Sequence, residues 1–137
     1  MRDSEDVSKL SRKEMVQRFG PIAGIHHDIS GLSNELWKFG LDPYSPITNF
    51  TQYSLKTYLD HVDMHETFAH NAHQEGRYAE ARSHLDEMRH ALNSVHEVVH
   101  YTKGKDSNVT KAVSDHMQRI KNSINMYQWE TQMDEST

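Results

Sequence analysis

Residues 49–101 read NFTQYSLKTYLDHVDMHETFAHNAHQEGRYAEARSHLDEMRHALNSVHEVVHY, and the spacing of their apolar side chains decides the fold. Leu55, Leu59, Val62, Ala69 and Ala72 fall on one helical face, with Tyr58 and His65 at its edge. This is the three-and-four spacing of an amphipathic helix, whose apolar side has to be covered. Downstream, Ala81, Leu85, Met88, Leu92, Val95 and Val99 alternate four and three apart, a narrow seam along a second helix. Between the two lies Glu75-Gly76-Arg77, where Gly76 can take the positive φ that ends a helix. No proline occurs between Phe50 and Tyr101, so the expectation is a long αα-hairpin with its two seams facing each other.

The turn resembles the middle of a tetratricopeptide repeat. Gly76, Tyr78, Ala81 and Leu85 follow its G-x-Y-x-x-A-x-x-x-(F/Y/L) pattern, and Ala69 stands where the first helix of that repeat carries a small residue. The resemblance implies a helical hairpin and nothing wider. Asn93 occupies the place of the closing proline, both helices exceed repeat length, and no second copy occurs along the chain. The turn is similar, too, to those of HEPN domains, which are found in toxin, antitoxin and nucleotidyltransferase-partner proteins.

Working outward, Ser11-Arg12-Lys13-Glu14 has the form of a capping box, followed by Met15, Val16 and Phe19 before Gly20-Pro21, which predicts a short N-terminal helix. Pro21 suits the first position of a new helix in which Ile22, Ile25, Ile29, Leu32, Leu36 and Phe39 repeat at three and four until Gly40. Gly24 and Gly31 weaken that helix and are read as marks of a tight helix crossing. Leu41 to Thr48, with Pro43 and Pro46, reads as an extended connector ending at an Asn49 or Thr51 cap. After a polar loop at residues 103–108, Val109, Val113, His116, Ile120, Ile124 and Tyr127 form a last seam, expected to fray beyond Trp129. The expected architecture is all-α: an antiparallel four-helix bundle built around the hairpin, with the short helix packed on one end. Residues 11–130 form the domain in this reading, with flexible ends at 1–10 and 131–137.

A chain of 137 residues is one domain's worth, and its hydrophobic share of 35% makes a lean core. Seams this narrow imply a slim bundle or one that hides further apolar surface in an oligomer. With no cysteine, disulfides, thiolate metal sites and a cysteine nucleophile are excluded. The charged start, Met1 to Asp6, has no apolar run of a signal peptide, and no long apolar run occurs anywhere, so a cytoplasmic chain, or one within a larger particle, with no membrane partner is expected. The net charge of −5, with eleven histidines counted neutral, argues against nucleic acid as the main partner. Lys103, Lys105, Lys111, Arg119 and Lys121 are interrupted by Asp106 and Asp115 and read as a solvated helix face.

Histidine is the place to look for a metal site. His61 and His65 are one turn apart, His96 and His100 likewise, and His70 and His73 are three apart, all spacings that present two imidazoles to one ion. Eleven histidines placed at random give roughly one pair at each spacing, so these are weak metal candidates. Folding at Gly76 is expected to bring His61 and His65 level with Asp86 and His90, but that second pair points away from the Leu85, Met88, Leu92 seam. Glu87 with His90 and Glu97 with His100 lie on one helix and face different sides, which does not suit a di-iron bundle. His65-Glu66 has Ala69 where H-E-x-x-H needs its second histidine. Arg77 and His84 match the arginine-to-histidine spacing of HEPN ribonucleases, a permissive pattern that needs a partner subunit to close a site.

The function expected from these residues is non-enzymatic: a helical interaction or assembly module, self-associating or docking on a larger protein complex, with no cofactor and no resident metal. Its size and heptad character resemble those of small accessory proteins of phages. Trp37, Tyr44, Tyr127 and Trp129, near helix ends, are the candidate interaction residues. The alternatives are a histidine-rich metal-binding bundle and a HEPN-like ribonuclease or antitoxin-type partner.

Overall fold

Five helices, α1 (Arg12–Phe19), α2 (Pro21–Lys38), α3 (Phe50–Gln74), α4 (Tyr78–Lys103) and α5 (Asn108–Ser136), carry the chain in a computed structural model that describes residues 9–41 and 49–136. Among the described residues there is no strand. The connector expected at 41–48 lies, beyond Leu41, outside the described residues, as does Tyr44.

Local sequence explains the helix ends. The capping box at α1 is complete: Glu14 N–H donates to Ser11 Oγ at 3.1 Å and Ser11 N–H to Glu14 Oε1 at 3.0 Å, which holds the Glu14 carboxyl below its usual range. Asn49 caps α3 by accepting from Gln52 N–H at 2.9 Å. At the other end of α3, Gly76 has φ 76°, Arg77 N–H reaches Ala72 O at 2.8 Å and Gly76 N–H reaches His73 O at 3.0 Å. The same pair of bonds closes α2 at Gly40, from Leu41 to Leu36 O at 2.8 Å and from Gly40 to Trp37 O at 3.0 Å, and it tucks Leu41 into the core. Only a residue that tolerates a positive φ completes this motif.

The apolar seams read along α3 and α4 are all buried, and these two helices pack against each other most extensively. Thr51 lies 3.4 Å from Thr102 and His65 lies 3.0 Å from His84, so early α3 meets late α4 and late α3 meets early α4. α5 packs on both α4 and α2, α1 packs on α2, and α2 touches α3 more lightly. One core cluster joins α2, α3, α4 and α5.

Two sequence expectations change in α5. His116 was placed in the α5 seam, but Met117 fills that layer, and His116 turns aside to meet Glu35 of α2 at 3.0 Å. Both residues satisfy a three-or-four spacing from Val113, and the apolar one takes the dry position. Helix α5 also continues past Trp129 to Ser136 instead of fraying, with Thr131 buried and its hydroxyl accepting from Arg82 at 3.1 Å. The polar composition of 130–137 concealed this anchor.

The two glycines of α2 differ. A Cβ on Gly24 would stand 2.8 Å from Val16 Cγ2 and 3.0 Å from the Arg12 guanidinium carbon, so α1 rests directly on the α2 backbone there. At Gly31 the nearest atoms belong to His116, at 3.5 Å, which is ordinary contact. The close crossing expected at both is present only at Gly24.

Candidate functional site

The histidines do not gather. Among the described residues no three His, Asp or Glu side chains are placed to hold a metal ion together. His61 is exposed, while His65 reaches across to α4, its Nδ1 3.0 Å from Nδ1 of His84 with Phe68 packed beside both rings. Burial, and then the neighbouring His84, push the His65 pKa down. The partner of His65 is therefore His84, not the Asp86 and His90 pair, because Asp86 turns to α5 and accepts from Gln128 Nε2 at 2.8 Å.

His96 bonds Ser114 of α5 at 2.8 Å, and its ring centre lies 6.4 Å from that of His100. Burial, and then His100, lower its pKa. His73 meets the Tyr127 hydroxyl at 2.7 Å, with its pKa lowered by burial. The Arg77 guanidinium bridges the carboxylates of Glu75 and Glu80 at the start of α4 and His84 is engaged by His65, so each member of that pair has its own partners.

Three polar links escaped the sequence reading. Asp28 accepts from Arg12 Nε at 3.1 Å and from Ser123 Oγ at 2.7 Å, and Arg12 Nη2 donates to Ser123 Oγ at 3.0 Å, which ties α1, α2 and α5 together. Glu35 meets His116 between α2 and α5. His26 Nδ1 meets Glu66 Oε1 at 2.6 Å between α2 and α3, and that bond raises the His26 pKa, while Glu66 Oε2 is buried without a hydrogen-bond partner. Residues so far apart in the chain leave no local signal of such pairing.

The exposed apolar surface is more distinctive. Trp37 is 66% exposed and Trp129 61%, but Tyr127 is 4% exposed and belongs to the core. It continues the α5 seam, and burial of its ring with the hydroxyl on His73 satisfies both ends of the side chain. Phe50 and Tyr101, at 81% and 93% exposure, flank a groove of about 350 Å³ between early α3 and late α4, lined also by Tyr58 and Val98. Both lie just off the apolar seams, the only hint that the sequence offered. On α5, Asn122, Met126, Trp129 and Met133 make a second stripe at four, three and four, separate from the buried seam.

Among the described residues no helix is long and apolar enough to cross a membrane. Compared with protein-family models, curated protein sequences and solved structures, the chain finds no significant match.

Proposed function

We propose that this protein is a non-enzymatic interaction module: an antiparallel four-helix bundle, built around the α3–α4 hairpin and steadied at one end by α1, that binds protein through the aromatic surface left outside its core. Support for the antiparallel reading comes from the order of the cross-links, since Thr51 pairs with Thr102 and His65 with His84, and Asp28 pairs with Ser123 and Glu35 with His116.

The observation that carries the functional reading is the exposure of Trp37, Phe50, Tyr101, Met126 and Trp129 while the seams of α3 and α4 are buried. Large exposed aromatics favour association, because their burial releases much apolar area at small entropy cost. Light scattering over a range of concentrations, at about pH 5.5 and about pH 8, tests it. A mass rising above the 16.0 kDa of one chain supports the reading. A strict monomer at both pH values that carries stoichiometric metal overturns it in favour of a second reading, metal binding.

That second reading rests on His65 and His84, which meet across α3 and α4 with Nδ1 atoms 3.0 Å apart, a hydrogen bond that an ion would have to open. Elemental analysis of protein purified without chelator decides it, and no metal above background removes it.

A further inference from the structure

The outer stripe of α5 leaves Met126, Trp129 and Met133 exposed. A depression of about 430 Å³ beside it is lined by Arg12, Val16 and Ile25 on one side and by Ser123, Met126 and Glu130 on the other. Trp129 lies on the other flank of α5, on a hollow that it shares with Asn122, Asn125 and Met126. A largely exposed indole thus stands at the rim of a hollow on its own helix.

We infer that this surface binds a second copy of the same chain, with the two α5 helices crossing antiparallel about a two-fold axis at Met126. The partner follows from register. Trp129 and Asn122 lie on the same flank of Met126, three residues after it and four before it, so the axis carries Trp129 of the second copy onto Asn122, in the hollow. Glu130, on the opposite flank, is carried toward Ser123 and the Arg12 guanidinium that donates to it at 3.0 Å. The contact is reciprocal, as an isologous interface requires.

Charge agrees with this placement. On one side of Met126 lie Arg119 and, over Ser123, Arg12; on the other lie Glu130 and Asp134. A two-fold axis at Met126 sets each basic side against the acidic side of the other copy, whereas a parallel pairing sets like against like. The stripe itself, Asn122, Met126, Trp129 and Met133, has the spacing of a coiled-coil seam with one polar position to hold register.

This inference rests on the interaction reading above and narrows it to one surface and one partner. Its test is sedimentation equilibrium of the whole chain and of Trp129→Ala and Glu130→Arg variants, with Trp37→Ala as the control for a second exposed indole. Each substituted side chain is exposed, and circular dichroism checks that the helices are kept. The expected result is a wild-type mass approaching twice 16.0 kDa, dissociation of Trp129→Ala and Glu130→Arg at about tenfold higher concentration or more, and no change for Trp37→Ala. In a Trp37→Phe background the Trp129 emission shifts to the blue as concentration rises. Association that survives both α5 substitutions overturns this interface and leaves the interaction reading standing. A wild-type chain that stays at 16.0 kDa throughout overturns this interface together with self-association.

Discussion

The α3–α4 pair and the α2–α5 pair are held by different physics. Between α3 and α4 the packing is a run of apolar layers, Leu55, Leu59, Val62, Leu85, Met88 and Leu92, all at most 1% exposed. Between α2 and α5 the apolar layers are flanked by polar links, Asp28 to Ser123 and Glu35 to His116, with Arg12 of α1 reaching into the first. The dry pair draws its stability from area and shape, which depend on side-chain volume alone. The stitched pair adds direction: Asp28 and Ser123 fix how far α2 and α5 slide past each other, at a cost if either is left without its partner.

The largest expected effect is in the dry pair. Leu85→Ala leaves a cavity under a residue with no exposed surface and lowers stability by about 3 kcal/mol, read from urea unfolding. A loss below about 1 kcal/mol would show that the layer closes up, which would weaken the contrast with the stitched pair.

Next is the polar link. Asp28→Ala strips Arg12 and Ser123 of their acceptor and costs about 1–2 kcal/mol, screened in part because Arg12 is half exposed. It also frees the α1 end, so amide exchange in residues 12–19 should rise more than in α4.

The two glycines sharpen the same point within one helix. Gly31→Ala meets only ordinary contact and gains helix propensity, so stability rises by about 0.5–1 kcal/mol. Gly24→Ala drives a methyl into Val16 and the Arg12 guanidinium and should lose that gain by pushing α1 off. Thermal melts of the two variants, run side by side, should move in opposite directions.

The smallest effect is with pH. His65, His73 and His96 are held below the ordinary value of 6.5, so between their lowered values and 6.5 the folded chain binds fewer protons than the unfolded one. The stability that they contribute as neutral rings is complete above about 6.5 and is lost as pH falls through the folded values. His26, raised by Glu66, acts oppositely: its contribution is complete below about 6.5 and is lost as pH rises through its folded value. His73→Gln should therefore flatten the profile below about pH 6.5, and His26→Gln should remove a loss of stability above it. Denaturation midpoints at several pH values check both signs.

How much could be read in advance divides along the same line. Every seam residue named in α3 and α4 is buried, because a helical period repeats over many turns and identifies a face without knowing what covers it. Caps at Ser11 and Asn49 and the Gly76 turn were legible for a similar reason, since a few adjacent residues satisfy their own backbone groups. The choice of Met117 over His116, the pairing of the Tyr127 hydroxyl with His73 and the extension of α5 to Ser136 were not, as each turns on what a neighbouring helix offers.

The sequence by itself determined that the chain is helical, where most helices begin and end, and which stripe of each turns inward, because these follow from interactions within a few turns. Only the tertiary structure decided that His65 meets His84 and His26 meets Glu66, that Gly24 lies under α1 while Gly31 does not, and that Trp129 lines a hollow on the outer face of α5. Those facts depend on how far one helix slides and turns against the next, a quantity fixed by packing across long separations in the chain.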